Sequence, residues 1–178
     1  MTSDERRQEL MEWLRAIVLA LVVGGVLSLT IRPTLVSGSS MTPTLNDRNY
    51  LIIDKVSYLI DSPERGDIIV FKTNLKTLDG APKDLIKRII AVPGDVVDIK
   101  EGAVYINEQK MMESYVLEPY TDGELQMTIP KNKVFVLGDN REVSMDSRSD
   151  QVGLVDYEDI RGKILIRVLP VNEFGQVK

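Results

Sequence analysis

The chain contains neither histidine nor cysteine in its 178 residues. These two absences exclude a Ser-His-Asp triad, a cysteine nucleophile, a disulfide framework and an ordinary Cys/His zinc site. Covalent catalysis in such a chain needs a serine or threonine hydroxyl activated by lysine, aspartate, glutamate or the amino terminus, and neutral lysine is the best attested of these bases. The search for catalytic residues therefore narrows to serine paired with lysine, and we expect neither a metal nor a cofactor.

The chain also lacks an excess of positive charge. Its formal net charge is −5, from 22 Lys and Arg against 27 Asp and Glu. The first 32 residues are balanced, so the acidic excess belongs to the rest of the chain. Because phosphate binding needs a clustered positive face, nucleic acid is not an expected partner.

One long uncharged run extends from Ala16 to Ile31. As a helix it spans about 24 Å, and the flanking Arg15 and Arg32 can snorkel while Trp13 extends the span toward the full bilayer thickness. A cleaved secretory signal is the alternative for such a pattern. We interpret the run as an uncleaved membrane anchor.

Arginines before the run slightly outnumber those after it, which indicates a cytoplasmic amino terminus. The expected organisation is a cytoplasmic segment at 1–12, a transmembrane helix at 13–32 and an extracytoplasmic domain at 33–178. The protein is thus expected in the cell membrane with a single span.

From Pro33 onward, short strand-like runs alternate with turn residues, a pattern that predicts a mainly β domain. The predicted strands are Tyr50–Ile53, Asp67–Phe71, Leu85–Val92, Val96–Lys100, Ala103–Ile106, Val134–Leu137 and Ile164–Leu169. Because they follow each other closely, coiled antiparallel sheets or a partly closed barrel are the expected fold, preceded by one transmembrane helix. The segments Thr73–Lys83 and Met111–Gly123 are expected to be loops.

Lys87 is the lysine with apolar neighbours. The strand period of two places it on the same face as Leu85, Ile89 and Ala91. If that face is turned inward, desolvation and the adjacent Arg88 both lower the pKa of the Lys87 ammonium toward the neutral range that a general base requires. An edge-strand lysine that prevents aggregation is the alternative interpretation.

Two polar stretches could bring hydroxyls to such a lysine. Ser37–Leu45 follows the apolar run and is either a flexible linker or a fixed turn. Gly138–Arg148 follows an apolar strand, where site residues are common, although a turn held by Asx and Ser hydrogen bonds explains its composition equally well.

Four motifs occur in order: Ser-Met-x-Pro-Thr-Leu, Arg-Gly-Asp-Ile-Ile-Val-Phe, Lys-Arg-Ile-Ile-Ala-Val-Pro-Gly-Asp and Gly-Asp-Asn-Arg-x-x-Ser-x-Asp-Ser-Arg. Their order and spacing resemble the bacterial type I signal peptidase family over nearly the whole chain. The short region between Lys100 and Lys133 is similar to the compact, single-span form typical of Gram-positive bacteria.

The resemblance implies that Ser40 is the nucleophile and Lys87 the general base. It also implies that Ser144 orients the lysine and that Asp146 and Arg148 hold the site together. A backbone N–H of the nucleophile would meet the oxyanion. The second oxyanion donor of many relatives is a serine hydroxyl, and at that position this chain has Gly38.

The substrate implied by the resemblance is an exported preprotein with small residues at positions one and three before the cut, presented at the membrane lipid. The residues implied to line its binding pockets are Val36, Met41, Leu45, Leu85 and Ile86. Two alternatives are an autoprotease of the SOS-repressor type, which shares Ser-Lys chemistry, and a non-catalytic anchored β module that binds extended peptides.

Overall fold

The computed structural model describes residues 3–77 and 79–177. It begins with helix α1, Ser3–Thr30. The segment Arg6–Thr30 is long and apolar enough to cross a membrane, and its side chains are exposed to the surroundings. The rest of the described chain does not cover this surface, and an exposed apolar surface of this size is typical of a segment that contacts a membrane or another protein.

The remainder of the chain is built mainly from strands, which confirms the mainly β, antiparallel prediction. The strands are β1 (Ile31–Leu35), β2 (Tyr50–Asp54), β3 (Ile68–Lys76), β4 (Pro82–Ala91), β5 (Val96–Lys100), β6 (Ala103–Ile106), β7 (Gln109–Lys110), β8 (Leu125–Thr128), β9 (Lys133–Leu137), β10 (Val155–Asp156) and β11 (Ile160–Leu169). A short helix α2 spans Ser57–Ile60, and single 3₁₀ turns span Tyr157–Asp159 and Val171–Glu173.

These strands form two antiparallel sheets. The larger has seven strands in the order β1-β2-β11-β3-β4-β9-β10, and the smaller has four in the order β7-β6-β5-β8. Strand β3 shows why the larger sheet is stable: Ile68 and Val70 pack in one apolar cluster while Ile69 and Phe71 pack in another. Both of its faces are buried, so its sequence is a continuous apolar run and does not alternate.

One row of paired residues crosses five neighbouring strands of the larger sheet. The pairs are Ile31 with Asp54, Asp54 with Lys163, Lys163 with Ile69, and Ile69 with Lys87. The row starts at the first residue after α1 and ends at the candidate base. The register therefore fixes the position of Lys87 relative to the end of the amino-terminal helix.

The segment Thr73–Lys83 differs from its prediction as a loop. Most of it is a hairpin, because β3 continues to Lys76 and β4 begins at Pro82. The Thr73 hydroxyl donates a hydrogen bond of 2.7 Å to the carbonyl oxygen of Lys83, which ties the two strands together. An exposed hairpin does not need an apolar face, so its strands lack the alternating apolar residues by which a strand is recognised in sequence. This is why the segment was predicted as a loop.

Candidate active site

Ser40 lies in a fixed turn that follows β1. The N–H of Val36 donates to the carbonyl of Asn49 at 2.9 Å, and the N–H of Leu45 donates to the carbonyl of Met41 at 2.8 Å. Val36, Met41 and Leu45 are all buried. Because three apolar anchors and these hydrogen bonds hold the stretch, it is a structured turn and not a flexible linker.

Lys87 lies in β4, and its side chain is only 2% exposed. Its Nζ is 2.7 Å from Ser40 Oγ and 3.0 Å from the carbonyl oxygen of Ile86. The first distance is within hydrogen-bond reach of a nucleophile and its base. Strand β4 and the turn after β1 thus bring together two residues that are 47 positions apart in sequence.

Burial lowers the pKa of Lys87 from 10.5 to about 8. The carboxylates of Asp146 and Asp139 oppose this change, and the ammonium of Lys83 lowers the pKa further. The expected effect of desolvation is therefore present, and the ammonium of Lys83 is a cation that adds to it. A substantial fraction of Lys87 is neutral near pH 8, as a general base requires.

Arg88 turns to the opposite side, where it forms a buried ion pair with Asp139. Its Nε and Nη2 atoms donate to the two carboxylate oxygens at 2.9 and 2.7 Å, and both residues are almost completely buried. The guanidinium also lies 4.0 Å from the centroid of the Tyr115 ring. This ion pair fastens β4 to the loop after β9. Sequence reasoning missed it, although Arg88 and Asp139 each belong to one of the four motifs.

That loop carries the second ion pair, between Asp146 and Arg148. The carboxylate of Asp146 receives Arg148 Nε and Nη2, each at 2.9 Å, and also accepts the N–H of Gly138 at 3.1 Å. Arg148 Nη2 donates to the carbonyl of Arg141 at 2.7 Å. Since Asp146 is 1% exposed, its charge is held where it acts on Lys87.

Ser144 lies in the same loop, on the side that faces the nucleophile segment. Its hydroxyl oxygen is buried and forms no hydrogen bond with any residue that the structure describes. It packs against Gly138, where an added Cβ would overlap Ser144 Oγ and the carbonyl oxygen of Ser40. The structure places Ser144 in the site, but the orienting bond to Lys87 that the resemblance implies is not formed within the described residues.

Gly38 has no side chain to offer an oxyanion, and its backbone N–H is already engaged. That N–H donates to Asp47 Oδ1 at 2.9 Å. Its φ is +101°, and an added Cβ would meet no atom within 4 Å. By contrast, the N–H of Ser40 has no hydrogen-bond acceptor among the described residues, so it is available to an oxyanion.

The dyad opens into a groove of about 490 Å³. Its walls are the segment after β1, the carboxyl-terminal side of the β3–β4 hairpin, and the loop after β9. Four residues from the predicted binding set line it, namely Val36, Met41, Leu85 and Ile86. Leu45 does not line this groove: it is 0% exposed and belongs to the core beneath the turn.

Sequence reasoning missed two further lining residues, Val143 and Met145. They are 56% and 43% exposed and flank Ser144 in the loop. The sequence could have indicated them, because both are apolar residues within an otherwise polar loop. A turn that is held only by hydrogen bonds does not require apolar side chains.

Comparisons with known proteins identify the family. The chain matches the family described as signal peptidase, peptidase S26, over residues 10–169. It is 35% identical to signal peptidase I of Bacillus licheniformis, covering 96% of this chain and 95% of that protein. It is also 35% identical to signal peptidase IB of Staphylococcus aureus strain N315, with 94% of each chain covered.

A solved structure is also similar. The crystal structure of a signal peptidase I from Enterococcus faecalis V583 is 30% identical and matches with a TM-score of 0.49, covering 58% of this chain and 97% of that one. From the family match and the near full-length relatives, this chain belongs to the signal peptidase family, peptidase S26.

Proposed function

We propose that this protein is a membrane-anchored serine endopeptidase that removes signal peptides from exported preproteins, with Ser40 as nucleophile and Lys87 as general base. The observation that carries the proposal is the 2.7 Å distance between Lys87 Nζ and Ser40 Oγ, with the lysine buried and its pKa lowered to about 8. The family match over residues 10–169 favours neither the SOS-repressor autoprotease nor the non-catalytic module.

The reaction is an acyl transfer in two halves. Neutral Lys87 accepts the proton of Ser40 Oγ as that oxygen attacks the scissile carbonyl carbon, and the carbonyl oxygen becomes an oxyanion. The ammonium of Lys87 then gives the proton to the departing amine, which leaves an ester on Ser40. Water attacks the ester, its proton passes to Lys87, and the proton returns to Ser40 Oγ as the signal peptide leaves.

The oxyanion is stabilised by the N–H of Ser40, a donor next to the attacking oxygen that has no acceptor among the residues the structure describes. Gly38 does not contribute in the arrangement described, because Asp47 accepts its N–H. One oxyanion donor is worth on the order of 2.7 to 4 kcal/mol. The Gly38 position therefore differs functionally from that of relatives with a serine there, and the Ser40 N–H carries more of the stabilisation.

The groove suits an extended peptide with small side chains at two positions. Strand β4 pairs with β9 only from Arg88 onward, so in the described structure its Pro82–Lys87 edge on that side is open for the backbone of a substrate strand. Val36 and Met41 are 4% and 2% exposed, so the groove floor is closed. Such shallow pockets fit small residues at positions one and three before the cut.

The anchor sets the compartment of the reaction. Residues 13–30 would span the membrane lipid, with 1–12 in the cytoplasm and the β domain outside it, because the arginine bias precedes the span. The predicted end of the helix at residue 32 moves back to Thr30, since Ile31 and Arg32 belong to β1. The dyad would then face emerging preproteins on the outer side of the cell membrane. A shared membrane raises the encounter rate without new contacts.

The test uses the purified full-length chain in detergent with a preprotein substrate. Ser40→Ala and Lys87→Ala are each expected to lower the cleavage rate by about 10³-fold or more, since the two groups act as one unit. Ser114→Ala, at an exposed serine in the segment between β7 and β8, is the matched control and should cleave at the rate of the unchanged protein. If Ser40→Ala cleaves at the rate of the control, the assignment of Ser40 and Lys87 as the catalytic dyad is refuted.

A further inference from the structure

The nucleophile lies in a short segment, Ser37–Ser40, between the buried side chains of Val36 and Met41. The three residues before Ser40 are exposed, and Ser40 itself is partly buried. The core therefore holds this segment only at its two ends. Hydrogen bonds have to fix the backbone that presents the nucleophile.

The carboxylate of Asp47 ties this segment to the far side of the turn. The N–H of Gly38 donates to Asp47 Oδ1 at 2.9 Å. Within the described residues, this is the single hydrogen bond that a backbone N–H from Ser37 to Met41 donates. Glycine has the widest choice of φ and ψ of any residue, and Gly38 adopts a left-handed conformation with φ of +101°. The bond to Asp47 therefore restrains the segment at the residue with the greatest conformational freedom.

The backbone that carries Asp47 is itself held in place. The N–H of Asn46 donates to Asn49 Oδ1 at 3.0 Å, and the N–H of Asn49 donates to the carbonyl of Asn46 at 3.1 Å. Asn49 is 3% exposed, so this closed turn is fixed at the core. The N–H of Arg48 also donates to the carbonyl of Val36 at 3.0 Å. The carboxylate thus reaches Gly38 from a rigid base.

The restraint extends to the proposed oxyanion donor, the N–H of Ser40. Only the dihedral angles of Gly38 and Ser39 separate the tied N–H from the Ser40 N–H, so fixing the first limits the directions open to the second. On the other side, the carbonyl of Ser40 accepts the N–H of Asn140 at 3.1 Å. Ser40 is thus held from both sides, by the loop after β9 and by Asp47. An oxyanion donor contributes most when its direction is fixed before the reaction.

The Asp47 carboxylate acts here as a hydrogen-bond acceptor, and its charge is exposed to water. Its Oδ2 lies 3.7 Å from Nε of Arg48, and the two side chains are 57% and 89% exposed. An ion pair as exposed as this one contributes little to stability because water screens it. A neutral acceptor oxygen at the same position should therefore restrain Gly38 equally well.

We propose that Asp47 is a positioning residue for the oxyanion site: by holding the N–H of Gly38, it directs the N–H of Ser40 toward the substrate oxyanion. The proposal rests on the proposed function, in which Ser40 is the nucleophile. Asp47 itself touches neither the substrate nor the reacting atoms. Its loss should therefore lower kcat, which depends on stabilisation of the oxyanion, and leave KM unchanged.

The test measures kcat and KM for preprotein cleavage by the full-length chain in detergent. Asp47→Ala should lower kcat by about 10-fold at an unchanged KM, because the oxyanion donor is no longer held in one direction. Asp47→Asn keeps an acceptor oxygen and should cleave at nearly the rate of the unchanged protein. Arg48→Asn is the matched control: it removes the exposed ion pair, and asparagine accepts the φ of +64° at this position.

A second measurement separates an effect on the oxyanion from a general loosening of the turn. With a peptide aldehyde, Ser40 Oγ bonds to the aldehyde carbon, its proton passes to Lys87, and the aldehyde oxygen becomes an oxyanion. The corresponding peptide alcohol cannot form this adduct. Asp47→Ala should weaken binding of the aldehyde by about 10-fold and leave binding of the alcohol unchanged.

Three results would overturn the proposal. One is an Asp47→Ala protein with the kcat of the unchanged protein. Another is an equal loss of affinity for the aldehyde and the alcohol, or a kcat that falls only as far as the folded fraction measured by circular dichroism, since either would give Asp47 a merely structural role. The third is an unchanged protein that cleaves no preprotein, which would refute the proposed function and this inference with it.

Discussion

Replacing Lys87 with methionine tests the proposed base through stability as well as activity. The Lys87 side chain is 2% exposed, and burial lowers its pKa from 10.5 to about 8. The folded protein therefore binds a proton at this site less strongly than the unfolded chain. Methionine fills a similar volume without a charge, so the substitution removes the cost of burying the ammonium together with the catalytic group.

The magnitude follows from the pKa difference of about 2.5. At about 1.4 kcal/mol for each pKa unit, the buried ammonium costs the native state about 3 kcal/mol when Lys87 is protonated in both states, which is the case below pH 8. Between pH 8 and 10.5 the unfolded chain binds more protons, so the stability of the unchanged protein rises with pH. Above 10.5 the cost is gone.

Methionine also loses the hydrogen bonds from Lys87 Nζ to Ser40 and Ile86, worth about 1 kcal/mol each at any pH. The variant should therefore be more stable than the unchanged protein by about 1 kcal/mol at pH 7 and less stable near pH 10. Over this range its relative stability falls by about 2 kcal/mol. It should also be inactive on a preprotein throughout.

The assay is thermal unfolding of the full-length protein in detergent, followed by circular dichroism at pH values from 6 to 10. Ser40→Ala is the control, because it abolishes the nucleophile but leaves a buried lysine, so its difference in Tm from the unchanged protein should vary little with pH. A Lys87→Met difference that is equally independent of pH would refute the lowered pKa. An active Lys87→Met protein would refute the base assignment.

Two other substitutions perturb the dyad without removing it. Lys83→Gln removes a cation that lowers the pKa of Lys87. The midpoint of the rising limb of kcat/KM against pH should therefore move from about 8 to a higher pH. An unchanged midpoint would show that Lys83 does not act on the base. Gly138→Ala adds a Cβ that overlaps Ser144 Oγ and the carbonyl oxygen of Ser40. Displacement of these groups should lower the rate of preprotein cleavage by about 10²-fold. Cleavage at the wild-type rate would show that the loop accommodates the added Cβ without moving the dyad.

The larger features of the fold could be predicted because they depend on local composition. Antiparallel strands separated by turn residues follow from alternation and glycine-rich turns, and this prediction is confirmed. Strand β1 was missed because Arg32 and Pro33 weaken its pattern; it lies at an edge of the sheet, where such residues are tolerated. The start of β11 was missed because Gly162 interrupts it, where a Cβ would overlap the carbonyl oxygen of Asp54.

The site shows a different limit of sequence reasoning. The missing histidine and cysteine pointed to serine with lysine, and the apolar neighbours of Lys87 correctly indicated burial. Neither observation could show where Arg88 points, since adjacent strand residues face opposite sides and each side here contains charged partners. Its pairing with Asp139 depends on the contact between β4 and a loop about 50 residues later, which no local pattern encodes.

The row of paired residues from Ile31 to Lys87 also limits the distance between the candidate base and the end of the anchor. Each antiparallel step separates Cα atoms by 4.5 to 5.5 Å, so four steps place Lys87 no farther than about 22 Å from the end of the anchor, and sheet twist shortens that path. An extended peptide covers this distance in about six or seven residues. A preprotein held in the same bilayer thus needs only a short stretch between its apolar segment and its scissile bond, and the length of that stretch is set by strand register.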